Sequence, residues 1–204
     1  NNIIFQESLG SIADKVKRVT KLAVNIAQQV QADTSSVARA AELCKCDLLT
    51  DMVGEFPSLQ GIIGAYYATA NGETEAVATA IREHYLPRFA NDTLPTTAAG
   101  ACLAIADRLD SIVAIIATGQ MPTGDKDPFA LRRAAAGILR IVFEFNWQFD
   151  IYAMCANALA QLPAALNNEE TLLQAATFIR ERLRSWCLEA GFSAEEYNAI
   201  CQNN

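Results

Sequence analysis

The sequence predicts an all-α fold, and three observations carry that expectation. Half of the residues are apolar (51%) and alanine is abundant, yet 204 residues contain only 10 glycines and 6 prolines. Such a composition favours long helices over many short strands. Apolar residues recur at spacings of three and four along most of the chain, the period of one helix face. Where that spacing breaks, the interruptions are helix caps and turn residues, with no β-hairpin pattern, internal repeat or low-complexity tract among them.

Within residues 7–31, Ile12, Val16, Val19, Leu22, Ala23, Ile26 and Val30 form one stripe. Ala32-Asp33-Thr34 interrupts it, and Asp33 or Thr34 can cap a second helix reaching about Val53. Gly54 and Pro57 punctuate the chain, and Ser58 can cap a third helix over LQGIIGAYYATA. In that helix Gly61 and Gly64 would admit a close neighbour. Asn71-Gly72 reads as a turn, followed by a helix to about Tyr85 and a loop holding Pro87, Asn91, Asp92 and Pro95.

The next helix, over 96–117, would bury Cys102, Ile105, Ala106, Leu109, Ile112, Val113 and Ile116. Asp127-Pro128 then predicts a helix start, an N-cap acid followed by proline at the first helical position. That helix runs to about Phe145. Two or three more are expected near 150–161, 169–190 and 193–202.

A net charge of -7 excludes a protein that coats nucleic acid nonspecifically, because that mode needs a broad cationic surface. A local basic strip remains compatible with it. Six cysteines (Cys44, Cys46, Cys102, Cys155, Cys187, Cys201) show no dense small-domain framework, so they read as reduced thiols of an intracellular, cytoplasmic protein. A disulfide set is the alternative. No apolar run approaches the ~20 residues that span a bilayer. Ser111–Thr118 comes nearest, and Asp107, Arg108 and Asp110 cut it off. The chain opens on NNIIF and closes on CQNN, so it reads as a piece of a longer protein.

Motifs for chemistry are few. The segment TGQMPTGDKDPFALRR (118–133) approaches the phosphate-loop pattern, but Asp125 stands where the lysine belongs and a helix, not a strand, precedes it. A helix-to-helix connector explains its glycines, with an anion at the following helix start as the lesser reading. His84 is the only histidine, and it reads as a packed or capping residue before a lone base. Cys44 and Cys46 lie two apart on the expected helix and point to separate faces, so they would not share a metal. Asp47 and Asp51, and Asp107 and Asp110, each share a helix face. A solvated acidic surface is the simpler account of these pairs, and a pKa-shifted acid–base pair the other.

Basic residues gather in the last third. Arg132, Arg133 and Arg140 lie on one expected helix, with Arg133 and Arg140 seven apart on one face, and Arg180 and Arg184 are four apart on another. Such rows suit phosphate contacts, or they pair with Glu144 and Glu181 as a solvated face.

Two long stretches add a family resemblance. KCDLLTDMVGEFPSLQGIIGAYYA (Lys45–Ala68) and LPTTAAGACLAIADRLDSIVAIIATGQMPTGDKDPFALRRAAAGILRIV (Leu94–Val142) resemble the β subunit of bacterial heterotetrameric glycyl-tRNA synthetase. The linker HYLPRFANDTLP agrees too, so the match covers roughly residues 5–145. Residues 146–204 resemble the family more loosely, chiefly in FIRERLRSW and EAGFS.

The resemblance implies an HD-like helical domain over 1–126, followed over 127–204 by a helical region leading toward the anticodon-binding end. The HD fold is that of metal-dependent phosphohydrolases. Its first metal-binding histidine falls on Lys15, its His-Asp doublet on Cys46-Asp47, and its distal aspartate on Asp107. Two aspartates are kept and both histidines are missing, which implies a lost hydrolytic site with no metal and no catalytic residue.

The complete α2β2 enzyme of this family joins glycine to its tRNA with ATP and Mg²⁺, and glycine activation belongs to the α subunit. The expected partners are therefore the α subunit and glycine tRNA, with no cofactor held here. The residues chosen for tRNA contact, on charge and helix face, are Lys126, Arg132, Arg133, Arg180 and Arg184. A working HD phosphohydrolase and a purely structural helical module are the alternatives.

Overall fold

A computed structural model describes residues 3–6, 8–124, 126–189 and 191–202, the last three by backbone alone. The first element is one the sequence pattern did not announce. Strands β1 (Ile4–Gln6) and β2 (Gly10–Ser11) pair antiparallel with an irregular register. No alternation of polar and apolar residues marks so short a pair. It forms because Gly10 adopts a φ of +82°, which glycine reaches without strain, and because the turn buries Leu9.

Helix α1 therefore begins at Ile12, not within the strand pair, and runs Ile12–Gln29. Ser11 and Asp14 close a reciprocal capping box: the Ser11 hydroxyl accepts from Asp14 N–H at 3.2 Å, and the Asp14 carboxylate accepts from Ser11 N–H at 3.1 Å. Asp33 caps α2 (Thr34–Leu43) as expected.

The expected continuation of α2 to Val53 is broken into a 3₁₀ turn (Cys46–Leu49) and a short α3 (Asp51–Glu55) capped by Thr50. The break has a physical reason. Lys45 and Asp47 are both buried, and an unbroken α-helix would send residues two apart to nearly opposite sides. Leaving the helix lets both side chains turn inward.

Helix α4 (Ile62–Ala70) follows Gly61, whose φ is +77° and whose position is walled by the Tyr85 ring. Gly64 is likewise covered, by Asp47 and Ile81. The two glycines thus admit side chains from neighbouring segments. Helix α5 (Glu75–Glu83) ends on Glu83, whose buried carboxylate accepts the N–H and hydroxyl of both Thr96 and Thr97 at 2.6–3.1 Å. Those bonds anchor the start of α6 (Ala98–Ala117), which Thr97 itself caps.

Helix α6 is the central element. It is buried on almost every side and packs against α1, α2 and α5 on one flank and α7, α8 and α9 on the other. Helix α7 (Leu131–Glu144) starts three residues later than Pro128. Asp127 does act as a cap, its carboxylate accepting Leu131 and Arg132 N–H at 2.8 and 2.9 Å. A turn through Ala130, at φ +53°, separates that cap from the first helical residue.

Helices α8 (Ile151–Leu159), α9 (Glu169–Glu189) and α10 (Ala194–Gln202) complete the chain near their expected positions. One apolar core runs from Leu9 through α6 to Ile179. Among the described residues no helix is long and apolar enough to cross a membrane. Cys44, Cys46, Cys102, Cys155 and Cys187 are free thiols. Cys201 lies outside the described side chains, as Asp125 lies outside the described residues.

Candidate functional site: a cation-filled core and an arginine cleft

Where α1 crosses α6, the acidic pairing expected to face water is instead buried. Asp110 is closed off from solvent and Asp107 nearly so, because α1 and the turn after α2 bring cations against them. Lys15 Nζ lies 3.0 Å from Asp107 Oδ1, an ionic contact, and donates to Asp110 Oδ2 at 3.1 Å and Ser111 Oγ at 2.8 Å. One turn on, Arg18 grips Asp110 through Nε at 2.7 Å and Nη2 at 3.1 Å. Lys45 Nζ donates to Asp107 Oδ2 at 2.9 Å and sits 4.1 Å from the centre of the Tyr85 ring. The Asp47/Asp51 pair does not share a helix face: Asp47 is buried in the 3₁₀ turn and Asp51 is exposed.

His84 is fully buried beside this cluster. Its Nδ1 lies 2.6 Å from the Ile81 carbonyl and its Nε2 2.9 Å from Lys45 Nζ. An ammonium can only donate, so Nε2 carries the lone pair and Nδ1 the proton. Burial, reinforced by the Lys45 charge, pushes the imidazole pKa down to about 3. Burial opposes the charge on Asp107 too, but Lys15 and Lys45 outweigh it and hold the carboxyl well below the usual range. The packed-histidine reading of His84 holds, and the ring is a neutral hydrogen-bond relay.

These residues do not fit a divalent cation. Both oxygens of Asp107 are taken by ammonium groups, and Lys15 stands where the resemblance puts the first ligand. Asp47 is buried, with Oδ2 accepting Gly61 N–H at 2.7 Å and Oδ1 unpartnered. Cys46 faces outward and lines an apolar hollow of about 480 Å³ with Val16 and Leu49. Among the described residues no three His, Cys, Asp or Glu side chains are placed to hold a metal ion.

A second feature lies on the other flank of α6. Half-buried Arg108 donates to the carbonyls of His84, Tyr85 and Pro87 at 2.9–3.0 Å, which fixes the path of the segment after α5. Burial lowers its pKa to about 10. The loop that follows forms one wall of a cleft of about 820 Å³. Helix α7 forms its floor with Arg133, Gly137 and Arg140, and α9 the far wall with Arg182, Trp186 and Glu189. On both helices the spacing is i, i+4, i+7, one helical face. Arg132 also borders the cleft.

Of the residues selected from sequence for tRNA contact, Arg132 and Arg133 line this cleft, and Arg180 and Arg184 do not. Arg180 and Arg184 are exposed elsewhere on α9, and Lys126 is exposed on a tight turn closed by its backbone pairing with Thr123. Arg140 and Arg182 join the cleft instead. Arg140 was visible as the residue seven beyond Arg133. Arg182 was hidden between Arg180 and Arg184, because only the packing of α9 reveals which of its faces meets α7.

The fold and the site define an all-α module with lysines seated on its central aspartate. The whole described chain is similar to one family: residues 1–202 match the model of the glycyl-tRNA synthetase beta subunit. The chain is 50% identical over 199 residues to the glycine–tRNA ligase beta subunit of Coxiella burnetii (strain Dugway 5J108-111), covering 98% of this chain and 29% of that one. It is 46% identical over 202 residues to that of Chromohalobacter salexigens and 46% over 199 to that of Pseudomonas fluorescens (strain SBW25), with the same coverage. The chain belongs to the glycyl-tRNA synthetase beta subunit family, and it spans 29% of the length of these relatives.

Proposed function

We propose that this chain is a non-catalytic module of a glycyl-tRNA synthetase β subunit that holds tRNA and braces the assembly. Residues 1–126 supply an HD-like helical domain and 127–204 a helical region leading toward the anticodon-binding end. In this reading the protein is cytoplasmic, its partner is an α subunit in an α2β2 enzyme, and ATP and Mg²⁺ serve glycylation outside this segment.

One observation carries the RNA-binding role. Arg132, Arg133, Arg140 and Arg182 converge on one cleft, and none forms an ion pair with a described carboxylate. Arg133 and Arg140 spend donors only on loop carbonyls, of Arg88, Phe89 and Asp92 at 2.8–3.3 Å. Among the described residues no carboxylate pairs with these charges. Guanidinium groups bind phosphate oxygens in a bidentate fork, and on a body of net charge -7 such a cluster directs a polyanion to one place. Lys126, Arg180 and Arg184 remain further candidate contacts on the exposed surface.

Substituting both Arg132 and Arg133 by glutamine should weaken glycine tRNA binding at least several-fold and flatten its salt dependence by about one unit of slope per lost phosphate contact. The melting temperature should stay within a few degrees of the parent. If affinity and salt slope are both unchanged in the folded variant, these two arginines are surface charges and this part of the reading fails.

A further inference from the structure

We infer that the cleft between α7, α9 and the loop after α5 takes an unpaired nucleotide of RNA, base and phosphate together, and not the backbone of a duplex. The inference rests on the RNA-binding reading above and adds to it the kind of RNA element recognised.

Three features point there. The first is the size of the cleft. At about 820 Å³ it has room for one or two nucleotides, whereas a duplex backbone is met by an open face that tracks two phosphate rows.

Its cations are joined by aromatic surface that no structural need explains. Phe89 on the loop is 58% exposed and Trp186 on α9 is 38% exposed, and both line the cleft. The Trp186 ring is braced edge-on by Phe143, with centroids 4.6 Å apart, which holds it in place while leaving surface free for a base. Stacking on aromatic rings beside arginines is how proteins hold unpaired bases without reading their sequence.

Finally, Arg182 Nε is buried with no hydrogen-bond partner, although its side chain borders the cleft. A buried unsatisfied donor is costly, and a phosphate oxygen entering the cleft supplies the missing acceptor. Glu189, the acid at the rim, limits how far the anionic strand extends along α9.

The test compares three RNAs on the full-length β subunit that carries this sequence: a glycine tRNA transcript, a short single strand and a blunt duplex of equal length. Binding is read by a fluorescent label on the RNA. The single strand should bind more tightly than the duplex. Trp186→Leu should weaken the single strand about 10-fold and leave the duplex within about two-fold. Phe89→Ser, on an exposed loop position, should act in the same direction without touching the core. Arg182→Gln should lower the salt slope for the single strand.

Equal binding of single strand and duplex, with no effect of Trp186→Leu or Phe89→Ser, would overturn the inference while leaving tRNA binding intact. Saturation by adenosine monophosphate at lower concentration than by the single strand would also overturn it, making the cleft a mononucleotide site. Absence of salt-dependent binding by all three RNAs would remove the RNA-binding reading itself, and the inference with it.

Discussion

At the scale of single residues, Asp107 holds the core charge cluster together. Lys15 and Lys45 reach it from different segments, and removing the carboxylate would leave the buried Lys45 ammonium without an anion, while Lys15 keeps Asp110. His84 is tied to the same cluster through Lys45, and it makes a distinct prediction. Its pKa in the folded chain is about 3, lowered first by burial and then by the Lys45 charge, against 6.5 ordinarily. The unfolded chain therefore takes up a proton as pH falls below 6.5, and the folded chain does not. The share of stability due to His84 is fully present above pH 6.5 and should fall between pH 6.5 and about 5, with a slope of at most about 1.4 kcal/mol per pH unit. His84 is the only histidine, so the upper part of this window reports it. Below about pH 5 the carboxylates that their partners hold down, Asp107, Glu73 and Glu196, add their own loss. Denaturant unfolding across that range should show the slope, and His84→Gln, which keeps an acceptor for Lys45, should lose most of it. A wild-type stability flat from pH 6.5 to 5 would mean that the ring is not held neutral.

At the scale of elements, most helices were legible in the sequence because their stripes and caps are local. The spacing from Ile12 to Val30, the Asp33 cap and the 96–117 helix all appear where the residues put them. Two of the misses share a cause, since each was decided by a partner far away in sequence. The 3₁₀ turn at Cys46–Leu49 exists so that Lys45 meets Asp107 and Asp47 meets Gly61. No local pattern could announce either. The same holds for the acidic residues of α6, which read as a solvated face until the lysines of other segments were seen to cover them. Gly137 shows how an element shapes the cleft. A Cβ there would come within 2.8 Å of Arg108 Nε, on the side chain that fixes the carbonyls of His84, Tyr85 and Pro87. Gly137→Ala should therefore cost about 1–3 kcal/mol in chemical unfolding, despite the better helix propensity of alanine. A neutral or stabilising result would show that Arg108 yields freely.

At the scale of the whole molecule, charge is sorted in two ways. Inside, the cations Lys15, Arg18 and Lys45 meet Asp107 and Asp110, so the charges close on themselves and leave nothing for a metal. Outside, four arginines face one cleft without a carboxylate partner among the described residues, on a chain whose net charge is -7. The family was readable from the sequence because whole words of it are retained. The cleft was half readable: Arg132, Arg133 and Arg140 shared a helix, while Arg182, Phe89 and Trp186 came from segments whose meeting only the fold decides. The central claim is that this segment holds tRNA and performs no chemistry. It is tested most directly by steady-state glycylation with the assembled synthetase carrying Arg140→Gln and Arg182→Gln together. The account predicts a KM for tRNA raised about ten-fold, with kcat and the KM values for glycine and ATP unchanged. A lowered kcat with an unchanged KM for tRNA would contradict it.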